Sequence, residues 1–179
     1  MTWYEFLLFS HVSCAVIWIG GGFVLQVYAM VERSSGDAGA VARFAGIAGR
    51  LGERVFIPAS LLVVLAGVGL MIEGSWSWGE LWIVFSLATC AASFAVGGGV
   101  LTPTAKRIEV VGPESEVGQR LITRIFSILR VDLLFLFAIV FAMTVKPTSD
   151  DVTTIVVAAL ILVAASAFFL RDLARPATG

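Results

Sequence analysis

This chain of 179 residues has one histidine, two cysteines and little charge with which to do chemistry. Charged residues make up 14% of it and hydrophobic residues 59%, whereas soluble domains carry roughly 25% and 45–50%. Its mean hydropathy of +0.97 excludes a soluble globular domain. There is no Walker loop, no dinucleotide fingerprint, no HExxH stretch and no serine–histidine pairing, so classical soluble-enzyme chemistry is excluded. Nor is there a Cys-x-x-Cys. Cys14 and Cys90 both fall in apolar segments, where thiols pack as small hydrophobes, rather than in outer loops where a disulfide would form. A net charge of −1 argues against nucleic acid as a partner.

What remains is apolar and long. Stretches 3–31, 56–72, 81–101, 131–145 and 152–170 are each rich enough in hydrophobic residues to enter a bilayer, which takes about 20 residues at about 1.5 Å each. Two are short but follow amphipathic runs, 41–55 and 117–130. In these runs arginines (Arg43, Arg50, Arg54; Arg120, Arg124, Arg130) line one helical face and Phe44, Ile47, Leu51 or Leu121, Ile125, Ile128 the other. The expectation is an all-α, polytopic membrane protein with a single domain over 1–179 and helices at about 3–31, 41–72, 79–108, 117–145 and 152–171. Four of these are expected to form a bundle around His11, with the fifth peripheral. The first stretch lacks a basic leader and is too long for a cleavable signal, so it reads as a true span anchored by Trp3 and Tyr4.

Orientation follows from charge. Of the 12 basic residues, all except Lys146 fall between helices one and two, between helices three and four, or in the tail with Arg171 and Arg175. The positive-inside rule then puts the N-terminus outside and the C-terminus in the cytoplasm, in a multi-pass protein of the cytoplasmic (inner) membrane. Its basic loops face anionic lipid, so the lipid bilayer is the first partner expected. On the outer side, Glu73 and Glu80 bracket Trp76 and Trp78 as an aromatic belt.

Two regions echo each other. Gly20-Gly21-Gly22 and Gly97-Gly98-Gly99 each precede a charged stretch, an amphipathic run and an arginine entering the next span, Arg54 or Arg130. Helices one–two and three–four could thus be parallel repeats. The glycines allow close helix packing, or leave room for a flat cofactor.

His11, Cys14, Trp18, Gly21 and Leu25 share one face of helix one. His11 lies about 12 Å below Trp3, in the outer half of the bilayer. An imidazole there needs a backbone carbonyl, a side chain or a metal. It is either a hydrogen-bonded interhelical residue or a ligand, since imidazole is a common ligand of metals and haem iron. Near the cytoplasmic end, Asp132 is expected in a structural ion pair with Arg124, or with Arg54 or Arg130. The same arginines could recognise propionate, phosphate or carboxylate. Pro58 and Pro103 mark possible kinks in helices two and three.

His11 followed by Trp18 and Gly20-Gly21, then Arg54-Val55-Phe56-Ile57-Pro58-Ala59, Arg124-Ile125-Phe126 and Val145-Lys146-Pro147, resemble the membrane protoporphyrinogen oxidases of the HemJ type and CopD-like membrane domains. The layout is most similar to a sister family of bacterial predicted integral membrane proteins. The resemblance implies a four-to-five-helix bundle binding haem b through His11 as the axial ligand, with Trp18, Arg54 and Arg130 as cofactor-binding or propionate residues. It departs from the HemJ pattern in helix three, where Trp82-Ile83-Val84-Phe85-Ser86-Leu87 holds neither lysine nor histidine. With one histidine per chain, a haem would be five-coordinate, take Met71 or Met143 as sixth ligand, or be shared in a homodimer. Three readings stay open: a haem-b redox protein, a cofactor-free accessory or assembly subunit of a larger membrane complex, and a small transporter.

Overall fold

The computed structural model describes residues 1–174, with side chains described through 168. Among these there are only helices and turns. Four helices are long and apolar enough to cross a membrane: α1 (Trp3–Ser34), α2 (Ala38–Glu73), α3 (Leu81–Val111) and α4 (Glu116–Val145). A fifth, α5 (Val152–Ala174), is apolar over Val152–Phe168. The basic tail residue Arg175 lies outside the described residues, and the side chain of Arg171 is likewise not described. The amphipathic runs are continuous with the apolar ones, so α2 is one helix of 36 residues and α4 one of 30. At about 1.5 Å per residue each spans well over the roughly 30 Å of hydrocarbon, and its ends reach the headgroup layer.

Helix starts follow local chemistry. The Thr2 hydroxyl accepts from the Glu5 amide at 3.2 Å while the Glu5 carboxylate accepts from the Thr2 amide at 2.7 Å, a reciprocal capping box. Asp37 caps α2 through the Gly39 amide at 2.8 Å, and Ser115 caps α4 through the Gly118 amide at 3.0 Å. The turn before α4 needs glycine twice. Gly112 has φ +85°, and a Cβ on Gly118 would collide with the Gly112 carbonyl.

The chain resolves into two compact units, Met1–Glu80 and the part from Leu81 onward. In the first, α1 packs antiparallel on α2; in the second, α3 packs on α4, and α4 also carries α5. The α1–α2 seam is built from small residues on α2. Ala59, Ser60, Val63 and Ala66 are buried, and Gly67 and Gly69 let side chains of α1 lie directly on the backbone. Large hydrophobic residues such as Val16, Leu65 and Val163 face outward, which suits a solvent of lipid.

Three helices carry a π-helical segment: Val16–Gly20 in α1, Gly52–Phe56 in α2 and Gly97–Leu101 in α3. In two of them a glycine precedes a proline by six residues, Gly52 with Pro58 and Gly97 with Pro103. Proline cannot donate to the carbonyl four residues back, and its ring crowds that carbonyl. The residue before each proline donates five residues back instead, Ile57 to the Gly52 carbonyl and Thr102 to the Gly97 carbonyl. The wider turn absorbs the misfit, and the Thr102 hydroxyl adds a second bond to the Gly97 carbonyl at 3.0 Å.

Candidate functional site

His11 stands in the α1–α2 seam. Its Nδ1 lies 2.8 Å from the backbone carbonyl oxygen of Val63, one turn before Gly67 on α2. A carbonyl only accepts, so Nδ1 carries the proton and donates it. In the neutral ring Nε2 is then bare, with its lone pair available. The imidazole is seated by a glycine: a Cβ on Gly67 would lie 3.1 Å from Cε1 and 3.2 Å from Nδ1 of His11. One turn nearer the start of α1, Leu7 sits on Gly69 in the same way, its nearest atom 3.1 Å from where a Cβ would be. Toward the other end, Gly21 faces Phe56, whose ring would come within 2.6 Å of a Cβ. Leu7, His11 and Gly21 are thus three contact points along one seam.

The first unit therefore holds three of the residues singled out by sequence. His11 is half-buried between the helices. Trp18 is half-buried within the π segment of α1, and Arg54 is exposed within that of α2. Arg54 lies nine residues from Val63, about 13 Å along the helix toward the start of α2. Among the described residues no group of three or more His, Cys, Asp or Glu side chains converges as a polydentate metal site would need.

The second unit holds Arg124, Arg130 and Asp132, all on α4. The carboxylate of Asp132 faces the hydroxyl of Ser93 on α3. Cys90, one turn further along α3, is within electrostatic reach of the same carboxylate. The ion pairs formed among the described residues are Met1–Glu5, Asp37–Arg43 and Glu116–Arg120. The expected Asp132–Arg124 pair is not one of them. Arg124 precedes Asp132 by eight residues, about 12 Å of helix, and is exposed. Ser93 escaped the sequence reading because only charged residues were considered as partners; the spacing Ser86, Cys90, Ser93 along one face of α3 was the available signal.

Where α3 begins and α4 ends, the Lys146 ammonium lies 5.1 Å from the centroid of the Trp82 ring. Lys146 ends α4 in the left-handed conformation, φ 51°, directly before Pro147.

No curated protein and no solved structure matches the chain at a significant level. The likeness to HemJ-type and CopD-like proteins thus rests on sequence motifs alone. A family match covers residues 5–147, which takes in α1 to α4 and stops before α5. By that match, with four apolar helices of spanning length, the chain belongs to the predicted integral membrane protein family DUF2269.

Proposed function

We propose that this multi-pass membrane protein is a haem-b-binding protein in which His11 supplies an axial ligand through Nε2. The observation that carries the reading is the Nδ1 bond to the Val63 carbonyl at 2.8 Å. Ligating histidines characteristically donate their other ring nitrogen to a carbonyl or carboxylate, which fixes the tautomer and raises the basicity of the coordinating nitrogen. The residues present fit this role at the ligand. Gly67 leaves room for the ring to lie against α2, and the Val63 carbonyl keeps the proton on Nδ1. Arg54 would hold propionates, and Trp18 would line the apolar part of the site. Bound haem would supply reversible one-electron transfer, with His11 as the protein's only histidine ligand.

The same bond also favours a second reading, a cofactor-free accessory subunit. A histidine already bonded to a carbonyl and seated on a glycine is satisfied as a helix tie. The visible spectrum separates the two. Protein purified after expression with ample haem should show a Soret band that His11→Gly abolishes and added imidazole restores. Colourless protein, or a band unchanged in His11→Gly, sinks the haem reading and leaves the accessory one.

The proposal includes five spans in the cytoplasmic membrane with the N-terminus outside, supported by the distribution of the 12 basic residues. Cysteines placed at Ser35 and Ser115 should label only from the cytoplasm, and one at Ser75 only from outside; the reverse pattern would invert the map.

A further inference from the structure

Where α1 ends and α2 begins, the first unit carries an open cleft of about 200 Å³ lined by Tyr28, Glu32, Ala40, Arg43, Phe44 and Ile47. Its floor is aromatic. The rings of Tyr28 and Phe44 lie 5.0 Å apart at 55°, and Phe44 is buried. Its walls carry opposite charges. On one side stands the Glu32 carboxylate, one turn beyond Tyr28 on α1. On the other, the Arg43 guanidinium lies 3.6 Å from Asp37 and leaves most of its side chain exposed. Ile47 continues the lining as an exposed apolar residue one turn along α2.

Depth indicates what could enter. Tyr28 lies 25 residues beyond Trp3 on a continuous helix, about 37 Å along its axis. The hydrocarbon core is about 30 Å thick, so with Trp3 at the outer interface the cleft falls within the opposite headgroup layer. A solute there is a lipid headgroup first and a soluble metabolite second.

We propose that this cleft binds the headgroup of an ethanolamine phospholipid. The phosphate would meet Arg43. The primary ammonium would donate to the Glu32 carboxylate and lie over the Tyr28 and Phe44 rings, and the glycerol and acyl start would run along Ile47. Charge selects this head over its competitors. Two carboxylates, Glu32 and Asp37, stand beside one guanidinium, so a purely anionic head meets repulsion that a zwitterion avoids. A choline head has the positive charge but no N–H to give Glu32.

The test is native mass spectrometry of the full chain, released from micelles holding equal amounts of phosphatidylethanolamine, phosphatidylglycerol and phosphatidylcholine. Retention of the ethanolamine lipid should exceed either competitor by about tenfold, the worth of one charge-assisted hydrogen bond. Glu32→Gln should bring it down to the choline level, and Arg43→Gln should lower retention of both zwitterionic lipids. Circular dichroism on each variant checks that the helices persist, and a variant that loses helicity is replaced by Glu32→Asp or Arg43→Lys. Equal or stronger retention of phosphatidylglycerol, or folded variants with unchanged retention, overturns the proposal. Free phosphoethanolamine displacing the lipid at matched concentration would overturn the lipid as the source.

Discussion

The two helical hairpins solve the same problem with different chemistry. Each brings a polar side chain into an apolar seam and each contains a run of three glycines in its first helix. In the first hairpin the polar group is His11, and the partner is the backbone of the opposite helix, the Val63 carbonyl. In the second it is Asp132, which faces a side chain, Ser93. Glycine use differs as well. Gly21 is pressed against Phe56, whereas Gly97, Gly98 and Gly99 have nothing within 4 Å of a would-be Cβ. One triplet thus has a member that works as a contact surface. The other serves the backbone, opening the π segment that precedes Pro103. Similar sequence signatures therefore do not imply similar roles, and the contrast can be broken experimentally.

The largest effect should come from the glycines. Gly21→Val drives a branched side chain into the Phe56 ring, already 2.6 Å from the Cβ position. It should cost about 1–3 kcal/mol, as overpacking a tight contact does. Gly98→Ala meets open space and should be neutral or gain about 0.5–1 kcal/mol from reduced backbone freedom. Thermal unfolding in one detergent measures both. Equal responses would mean that the two triplets do the same job after all.

A smaller effect is expected where Ser93 faces Asp132. A double-mutant cycle of Ser93→Ala and Asp132→Asn should give a coupling energy near the average for hydrogen bonds between membrane helices, about 0.6 kcal/mol, and no more than about 1.7. Additive losses would show that the contact contributes nothing. The same cycle with Arg124→Gln in place of Ser93→Ala should show no coupling, because Arg124 and Asp132 form no ion pair.

The contrast also shows what could be read before the structure. Hydropathy marked five helices, of which four are long and apolar enough to span, and the cost of an unpaired imidazole put His11 against protein. The partner of His11 could not be named, because a backbone carbonyl leaves no mark in a sequence; Gly67 was the only trace, and its meaning depends on the register of α1 against α2. Pro58 and Pro103 were visible as kink points. That each would be answered by a π turn starting at a glycine six residues earlier depends on a change of hydrogen-bond register, which hydrophobic periodicity averages away. For Asp132 only charged residues were weighed as partners, and the Ser93 hydroxyl that faces it on α3 carries no charge to draw attention in a sequence.

The smallest effect concerns α5, which the second unit carries beyond the family-matched residues 5–147 and which has no counterpart in the first. Its first turn is fastened by Asp151. The carboxylate accepts from the Thr148 amide at 2.8 Å and from the Thr148 hydroxyl at 3.0 Å, and the Asp151 carbonyl accepts from the Ile155 amide at 3.1 Å. The Thr148 amide, and then its hydroxyl, hold the Asp151 carboxyl below the usual carboxylate range. The folded turn therefore favours the charged form. Its contribution is complete above the ordinary aspartate value of about 3.9 and is lost as pH falls through the lower folded value. The group is exposed, so the loss is local fraying of the turn and not unfolding of the helix. Hydrogen exchange at the Thr148 amide, corrected for intrinsic rates, should accelerate below about pH 4 in the native chain. In Asp151→Asn it should be faster at every pH and lose that dependence, while exchange along α1 and α2 stays unchanged. A native chain whose Thr148 protection ignores pH would detach Asp151 from the start of α5.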